Sequence, residues 1–361
     1  MKLLAAFGTR PEAIKMCPVV TELRSRGCEV TVCLTGQHKE MLADVMNAFG
    51  VEGDHNLCVM RPGQTLFDIT RDVLSGMERV LEEEKPDVVL VHGDTATTFA
   101  VSLACYYKRI KVGHVEAGLR TGDIFSPYPE EFNRRAVTIV ADYDFAPTET
   151  ARENLLREGV AAERIFVTGN TEIDALKTTV RPDYKNPLLD WAKGSRLVLM
   201  TAHRRENFGK PFSNIFSAVR RVVEETPDVK LIYPVHLNPN VREAAKLLDG
   251  CDRIKLTEPM GVLDFHNMLA RCHLVLTDSG GIQEDAPALN KPVLVLRNTT
   301  ERPEGVATGA LKLVGTEEQD VYAAFRRLLD DEAEYNAMAS AENPYGDGNA
   351  AGRIADALLN G

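Results

Sequence analysis

The sequence predicts an α/β fold made of two doubly wound domains, each with a parallel sheet between layers of helices. Short apolar runs rich in β-branched residues alternate with segments of helical periodicity along most of the chain, which is typical of strand–helix–strand units. A stretch over 178–194 with two prolines, an asparagine and a glycine interrupts the pattern, and we place the linker there. The predicted domains are 1–178 and 179–348, with a helix over 349–361 that could cross back to the first domain.

The first predicted domain opens with a strand and the turn Gly8-Thr9-Arg10, after which Pro11 suits the first turn of a helix. Its strands are expected at Lys2–Phe7, Glu29–Leu34, Asp87–Val91, Lys111–Val115, Asp142–Ala146 and Arg164–Thr168. Its further helices are expected at 39–49, 64–84, 95–109, 130–140 and 149–158. Ligands of open α/β sheets bind beyond the carboxyl ends of the strands, so the loops that follow these strands are candidate sites.

The second predicted domain repeats the same alternation. Its strands are expected at Leu197–Thr201, Lys230–Pro234, Arg253–Leu256, Leu274–Thr277, Pro292–Leu296 and Leu311–Val314. Its helices are expected at about 212–225, 240–249, 261–270, 280–289, 317–330 and 333–340. Two doubly wound halves of similar size are expected to face each other across a cleft, which is the usual place for a small-molecule site.

Length, charge and cysteine content narrow the class of protein. The chain has 361 residues and a formal net charge of −11, which argues against nucleic acid or an anionic membrane as the main partner. No stretch is long enough to span a membrane, and the first apolar run is too short for a signal peptide. The seven cysteines form no C-x-x-C pair, and no His/Cys cluster has zinc spacing. We therefore expect a reduced, cytoplasmic protein without a bound metal.

Acidic residues lie just after two successive predicted strands of the first domain and after a nearby loop. Asp94 and Glu116 follow the strands, and Glu130–Glu131 follows a loop bracketed by two prolines. Carboxylates that converge on one crevice raise one another's pKa values, which favours proton-transfer chemistry. We therefore treat these acids as candidate catalytic residues.

Each acid also has a purely structural interpretation. Asp94 could cap the helix that begins at Thr95, and Glu116 could pair with Arg120 one helical turn on. Glu130 and its neighbour could favour the start of the helix over 130–140 through its dipole. Three acidic sites at one sheet edge favour the functional interpretation over coincidence.

Cationic and small residues follow strands in both predicted halves. Asp278-Ser279-Gly280-Gly281 joins a buried strand to a helix, and such a junction lets backbone N–H groups approach an anion. Glu284 or Asp285, one turn further, could bind a ribose diol. Cations lie after other strands, as a site that clamps a diphosphate requires; they are Arg10, Lys15, His203 and Arg302. The first turn is not G-x-G-x-x-G, so no dinucleotide fingerprint is present.

Eight ordered motifs together resemble the non-hydrolysing UDP-N-acetylglucosamine 2-epimerases of bacteria. They are GTRPE (8–12), LTGQH (34–38), HGDT (92–95), HVEAGLRT (114–121), PYPEEFNR (127–134), AHRREN (202–207), TDSGGIQEDAP (277–287) and TTERPEG (299–305). The resemblance implies two Rossmann-like domains similar to B-type glycosyltransferases, a homodimer, and no metal or nicotinamide cofactor. Two mild departures from the common family pattern are Tyr128, where Trp or Phe is usual, and Asp285, where a second Glu is frequent.

The resemblance also implies a reaction and its residues. UDP-N-acetylglucosamine would be epimerised at C2 to UDP-N-acetylmannosamine by elimination and return of UDP through 2-acetamidoglucal. The implied acid–base and charge-stabilising residues are Asp94, Glu116 and Glu130, with His203 beside them; which acid takes the C2 proton stays open. The implied UDP-binding residues are Arg10, Lys15, His203, Met260, Phe265, Ser279, Gly280, Gly281, Asp285 and Arg302.

Family members can bind a second UDP-N-acetylglucosamine as an activator, and the matching contacts here are Gln37, Gln64 and His236. Three alternatives stay open. One is an epimerase for a modified UDP-sugar of the 2,3-diacetamido uronate type, and another is a glycosyltransferase of the same architecture. The third is a sensor that binds a sugar nucleotide without catalysis, against which the intact acids argue.

Overall fold

The computed structural model describes residues 1–36, 39–61 and 63–360, apart from the side chains of 39–41. Its internal contacts divide the chain into two compact units. Unit 1 comprises Met1–Thr178 and Tyr345–Gly361, and unit 2 comprises Thr179–Pro344. The end of the chain therefore belongs with its beginning.

Unit 1 is an open parallel sheet whose strands alternate with helices along the chain. Its strands are β1 (Lys2–Phe7), β2 (Glu29–Leu34), β3 (His55–Asn56), β4 (Val88–His92), β5 (Lys111–Val115), β6 (Tyr143–Ala146) and β7 (Ile165–Val167). Its helices up to the boundary are α1 (Arg10–Ser25), α2 (Lys39–Phe49), α3 (Leu66–Glu84), α4 (Ala96–Lys108), α5 (Glu130–Val140), α6 (Glu149–Arg157) and α7 (Thr171–Thr179).

Unit 2 has the same construction. Its strands are β8 (Arg196–Thr201), β9 (Val229–Pro234), β10 (Ile254–Thr257), β11 (Leu274–Thr277), β12 (Val293–Val295) and β13 (Leu311–Leu313). Its helices are α8 (Pro187–Ala192), α9 (Lys210–Glu225), α10 (Pro239–Ala245), α11 (Val262–Arg271), α12 (Ile282–Ala288), α13 (Pro303–Ala307), α14 (Glu318–Asp330) and α15 (Glu332–Ala339). The chain then returns to unit 1 with α16 (Ala350–Asn360).

The strand orders locate the crevice of each sheet. In the described residues they are β3-β2-β1-β4-β5-β6-β7 in unit 1 and β10-β9-β8-β11-β12-β13 in unit 2. The chain thus reverses direction across the sheet between β1 and β4, and again between β8 and β11. Ligands of doubly wound sheets bind at such switch points, beyond the carboxyl ends of the strands.

The central strands are buried on both faces, which explains their sequences. All five residues of β4, Val-Val-Leu-Val-His, are buried, so the strand is a continuous apolar run up to its final histidine instead of an alternating pattern. Ala5 of β1 pairs with Val32 on one side and Leu90 on the other, which places it in the middle of the sheet. Because helices cover both faces of the sheet, a ligand can contact it only at the ends of these strands.

The predicted fold class, two doubly wound α/β domains, is confirmed by the two sheets. Four short elements were not predicted: β3, α7, α8 and α13. Two residues of β3 are too few to leave a periodic pattern, and α8 lies inside the predicted linker. Asn186 caps α8 by accepting a hydrogen bond from the Leu188 amide at 2.9 Å, so the proline and asparagine there start a helix.

No helix in the described part of the chain is both long and apolar enough to cross a bilayer. The same residues contain no group of three or more His, Cys, Asp or Glu side chains arranged to hold a metal ion.

Candidate active site

Asp94 lies in the loop after β4, at the switch point of unit 1. Its carboxylate pairs with Arg134 of α5, and its backbone carbonyl accepts a hydrogen bond from Asn133 Nδ2 at 2.8 Å. It does not cap α4, because Thr95 does so by accepting a hydrogen bond from the Thr98 amide. The capping interpretation is therefore wrong, and the Asp94 carboxylate is left to face a guanidinium.

Glu116 follows β5 with a left-handed backbone, at φ +65°. A non-glycine residue rarely adopts this conformation, which costs about 1–3 kcal/mol and clusters at functional sites. Its carboxylate pairs with Lys15 of α1 and lies 3.7 Å from His92 Nε2. Arg120, the structural partner considered above, pairs instead with Glu158 at 2.8 Å.

The charges around Glu116 decide its protonation. Burial by itself would raise the pKa of Glu116, but the positive charge of Lys15, with His92 beside it, outweighs burial and holds that pKa well below its ordinary value. Lys15 also lies 3.5 Å from Glu172 of α7. Glu116 is consequently an anion throughout the neutral pH range.

Glu12 ties the loop after β1 to the loop after β4. It is buried, and its carboxylate accepts hydrogen bonds from the amides of Gly8 at 2.9 Å and Thr9 at 2.7 Å. Its other oxygen accepts one from the Thr95 hydroxyl at 2.7 Å. Arg10, the first residue of α1, is thereby fixed at the same edge as Asp94.

Glu130 and Glu131 differ sharply although they are neighbours at the start of α5. Glu131 is fully buried and accepts hydrogen bonds from the amides of Thr121 at 3.1 Å and Gly122 at 3.4 Å. It also lies 3.6 Å from Arg134. Glu130 is only partly buried. The buried acid thus supports the loop, while its neighbour remains the candidate for chemistry.

In unit 2, Asp278 organises the switch point between β8 and β11. Its carboxylate is fully buried and accepts hydrogen bonds from the amides of His203 at 2.9 Å and Arg204 at 2.9 Å, and from Asn207 Nδ2 at 3.0 Å. Each bond is charge-assisted. The loop after β8 is therefore held against the loop after β11.

The His203 ring lies beside this carboxylate. Its Nδ1 is 3.6 Å from Asp278 Oδ1, and its ring stacks on that of His236 with centroids 5.4 Å apart. Burial lowers the pKa of His203, and the nearby charges of His236 and Arg204 lower it further, against the opposing effect of Asp278. The imidazole is thus kept towards its neutral form.

The loop after β11 carries the small residues singled out in the sequence. A Cβ on Gly280 would come within 3.6 Å of Arg204, so this loop passes close to a cation. Beyond it, Glu284 pairs with Arg302, and Asp285 Oδ2 lies 3.9 Å from His266 Nε2. Met260 and Phe265 pack beside the core of unit 2.

Arg297, after β12, clamps two loops of unit 2. Its side chain is only 5% exposed and bonds to Glu206 at 2.6 Å and to Glu301 at 2.7 Å. Burial would raise the pKa of Glu301, but its hydrogen bonds and attraction to Arg297 lower it to about 2. The segment that leads to Arg302 is thereby held beside the loop that follows β8.

Comparisons with known proteins agree on one family. A family model described as UDP-N-acetylglucosamine 2-epimerase matches residues 21–359. A Bacillus subtilis UDP-N-acetylglucosamine 2-epimerase is 55% identical, over 99% of this chain and 95% of that protein. The chain belongs to the UDP-N-acetylglucosamine 2-epimerase family.

Solved structures of other family members are similar over the whole chain. A UDP-GlcNAc 2-epimerase from Neisseria meningitidis, crystallised with UDP-GlcNAc, is 46% identical with a TM-score of 0.90 and covers 100% of both chains. One from Methanocaldococcus jannaschii, in complex with UDP-GlcNAc and UDP, is 35% identical with a TM-score of 0.81 and the same coverage. The predictions of the epimerase family and of an isomerase are confirmed.

The structure brings part of the predicted site together within each unit. In unit 1, Arg10, Lys15, Asp94, Glu116 and Glu130 lie on or beside the loops and helix starts that follow β1, β4 and β5. In unit 2, His203, Ser279, Gly280, Gly281 and Arg302 follow β8, β11 and β12. Their assigned roles stay predictions.

Of the three regulatory residues that the family resemblance implies, the structure describes Gln64 and His236, and they have different surroundings. Gln64 bonds within its own loop, accepting from the Arg61 amide and donating to the Val59 carbonyl, and His236 stacks on His203. Gln37 lies outside the described residues.

Sequence reasoning missed five supporting residues of this epimerase: Glu12, His92, Arg134, Asp278 as a clamp, and Arg297. All of these except Arg297 stood within the quoted motifs. Arg134 comes four residues after Glu130, on the same helical face. That spacing was the signal that could have identified it.

Proposed function

We propose that this protein interconverts UDP-N-acetylglucosamine and UDP-N-acetylmannosamine by inverting C2 of the sugar. The bound UDP-GlcNAc of the Neisseria meningitidis and Methanocaldococcus jannaschii relatives supports this substrate. The observation that carries the proposal is the arrangement of Asp94 and Glu116. They follow adjacent strands, and each carboxylate is held by a cation from a helix, Arg134 or Lys15.

The proposed chemistry is elimination followed by addition. C2 has no neighbouring carbonyl, so its proton cannot be removed directly at a useful rate. A base takes the C2 proton while the C1–O bond breaks and UDP leaves with the electron pair, which gives 2-acetamidoglucal. Protonation of C2 from the opposite face and return of UDP to C1 complete the inversion.

The charges in unit 1 support a division of roles. Glu116 is ionised at neutral pH, so it suits stabilisation of the positive charge that develops at C1. Asp94 and Glu130 are assigned to proton transfer, with Asp94 oriented by Arg134. Water exclusion is needed as well, because water would intercept the oxocarbenium-like species.

We assign UDP binding chiefly to unit 2. The small residues Ser279, Gly280 and Gly281 allow a phosphate to approach the backbone, and His203 and Arg302 supply donors. Asp285 is assigned to the ribose, while Met260 and Phe265 are assigned to uracil. Arg10 and Lys15 of unit 1 complete the proposed diphosphate contacts.

Three further proposals concern the setting of the reaction. A homodimer is supported by large apolar side chains exposed on α3, α4 and α5, a pattern that marks interaction surfaces; they are Phe67, Tyr106, Tyr107, Phe132 and Ile139.

Activation by a second UDP-GlcNAc, through Gln64 and His236, predicts sigmoidal kinetics. The product would supply N-acetylmannosamine units for cell-surface polysaccharide.

Proton NMR of UDP-GlcNAc with pure enzyme in deuterated water tests the function. We expect UDP-ManNAc to form without any acceptor and both epimers to gain deuterium at C2. Retention of the substrate hydrogen at C2 would exclude the elimination scheme. Turnover only of a 2,3-diacetamido uronate nucleotide, or only with an acceptor, would reassign the substrate or the reaction.

A further inference from the structure

A histidine–aspartate pair lies buried in the sheet of unit 1, and the proposed chemistry uses neither side chain. His114 on β5 and Asp144 on β6 occupy paired positions of neighbouring strands, and both are fully buried. His114 Nδ1 lies 3.9 Å from Asp144 Oδ1. Burying two titratable groups costs free energy unless their charges and protons are matched.

The position of the ring fixes one of its protons. His114 Nε2 lies 2.7 Å from the carbonyl oxygen of Gly93. A carbonyl can only accept, so Nε2 must carry hydrogen and donate it. Nδ1 then faces Asp144, and neither Nδ1 nor the two Asp144 oxygens has a hydrogen-bond partner among the described residues.

The pair consequently needs one further proton. Without it, the Nδ1 lone pair would face a carboxylate in a medium of low polarity, which is repulsive. With it, either Asp144 is a neutral acid facing Nδ1, or an imidazolium faces a carboxylate. Burial raises the pKa of Asp144 to about 7, and burial lowers the pKa of His114 to about 4. The pair therefore retains its proton in acid and loses it as pH rises through about 7.

The other charges that face the pair come from several elements. Arg164 lies 3.8 Å from Asp144, and its charge favours the carboxylate. Further charges act at longer range on Asp144 from Arg120 and Asp142, and on His114 from His92, Arg120 and Glu116.

The contact with Gly93 links this proton to the active site. Gly93 has a left-handed backbone, at φ +66°, and its amide donates to the carbonyl of Val115 at 2.9 Å. Asp94 is the next residue along the chain, and Glu116 follows Val115. The His114 ring thus holds the peptide of Gly93, which directly precedes Asp94. His114 itself lies two residues before Glu116.

We propose that His114 and Asp144 form a positioning pair. One buried proton, held on either side chain, prevents repulsion between Nδ1 and the facing carboxylate, and the ring thereby fixes the Gly93–Asp94 peptide for the reaction. The kinetic part of this inference rests on the proposed epimerase function. Loss of that proton leaves the Nδ1 lone pair facing a carboxylate, which loosens the ring, and a small displacement of Asp94 can cost about 100-fold in rate.

The kinetic test compares kcat and KM across pH 5.5–8.5. Asp144→Asn can turn an amide N–H towards Nδ1 and cannot titrate. We expect kcat of the wild type to fall as pH rises through about 7, and we expect Asp144→Asn to lack this fall. Asp174→Asn is the matched control, because Asp174 is also buried with a raised pKa but caps α16 through the amides of Ala350 and Ala351. An alkaline fall in Asp144→Asn identical to that of the wild type would overturn the proposal.

Variants of His114 test the contact with Gly93. His114→Leu removes the donor and should lower kcat by about 10- to 100-fold with little change in KM. His114→Gln carries an amide N–H of similar reach and should recover part of the loss. An equal loss in both variants, with both folded by circular dichroism, would contradict a positioning role.

A measurement on the free wild-type protein keeps the inference separate from the function and from misfolded variants. In ¹⁵N NMR of the histidine side chains, His114 should be in the Nε2–H form, and its Nδ1 signal should shift near pH 7. An Nδ1–H tautomer, or no shift between pH 5.5 and 8.5, would overturn the proposal that the pair holds one further proton. If this titration is found but UDP-GlcNAc is not epimerised, the pair stands and the proposed function fails.

Discussion

At the scale of single residues, substitution of Asp94 should lower kcat without weakening the binding of UDP. Asp94→Asn keeps the shape of the side chain but removes the charge that Arg134 holds. We expect kcat to fall by about 10²- to 10⁴-fold, while the dissociation constant of UDP, measured by titration calorimetry, stays within about threefold. Asp68→Asn, at the exposed start of α3, is the control for a lost carboxylate. An unchanged kcat would remove Asp94 from the reaction.

Substitutions of the neighbours Glu130 and Glu131 should affect different properties: catalysis at Glu130 and stability at Glu131. Glu131→Gln disturbs a buried carboxylate that accepts two backbone hydrogen bonds, so we expect the free energy of unfolding to fall by about 1–3 kcal/mol. Glu130→Gln should instead lower kcat with little change in thermal stability. Urea unfolding and steady-state kinetics of both variants measure the two effects. The reverse result would exchange the two roles.

At the scale of elements, Arg297 should act on UDP binding through the loops it joins. Arg297→Met removes the fork that holds Glu206 and Glu301, which frees the segment leading to Arg302. We expect UDP affinity to fall by more than about threefold, at a stability cost of about 1–2 kcal/mol. Arg196→Met is the matched control, because Arg196 forks on Asp228 at the opposite end of β8. Equal affinities of the two variants would argue against the clamp.

Comparison of individual elements shows which features of the fold and of the site the sequence could predict. Strands such as β4 were predictable because a run of Val and Leu bounded by polar residues is a local signal, and Asp94 was found because it follows that strand. Its partner Arg134 is 40 residues away, and only the packing of α5 brings the two together. β3 is held by its register beside β2, which no local pattern reveals. The site was thus predictable as a list of residues, whereas their pairings depended on tertiary structure.

At the scale of the whole molecule, both sheets place their functional loops at the same topological point. The loops after β1 and β4 in unit 1 correspond to those after β8 and β11 in unit 2. In each unit a buried carboxylate joins the two loops, Glu12 in the first and Asp278 in the second. The same fold thus holds acids in one unit and small or cationic residues in the other, which supports the proposed division of work.

The last helix, α16, belongs to unit 1, so a substitution in it should lower the stability of unit 1 and not that of unit 2. α16 packs on α1, with Ile354 fully buried and Leu359 41% exposed. Ile354→Ala should therefore destabilise unit 1 by about 2–4 kcal/mol, while Leu359→Ala on the same helix should change stability by less than about 0.5 kcal/mol. Hydrogen exchange followed by mass spectrometry should then be faster across α1 and β2 but unchanged across α9 and β9. Equal acceleration in both units would contradict the division of the chain into two compact bodies, since the lost contacts belong to the first.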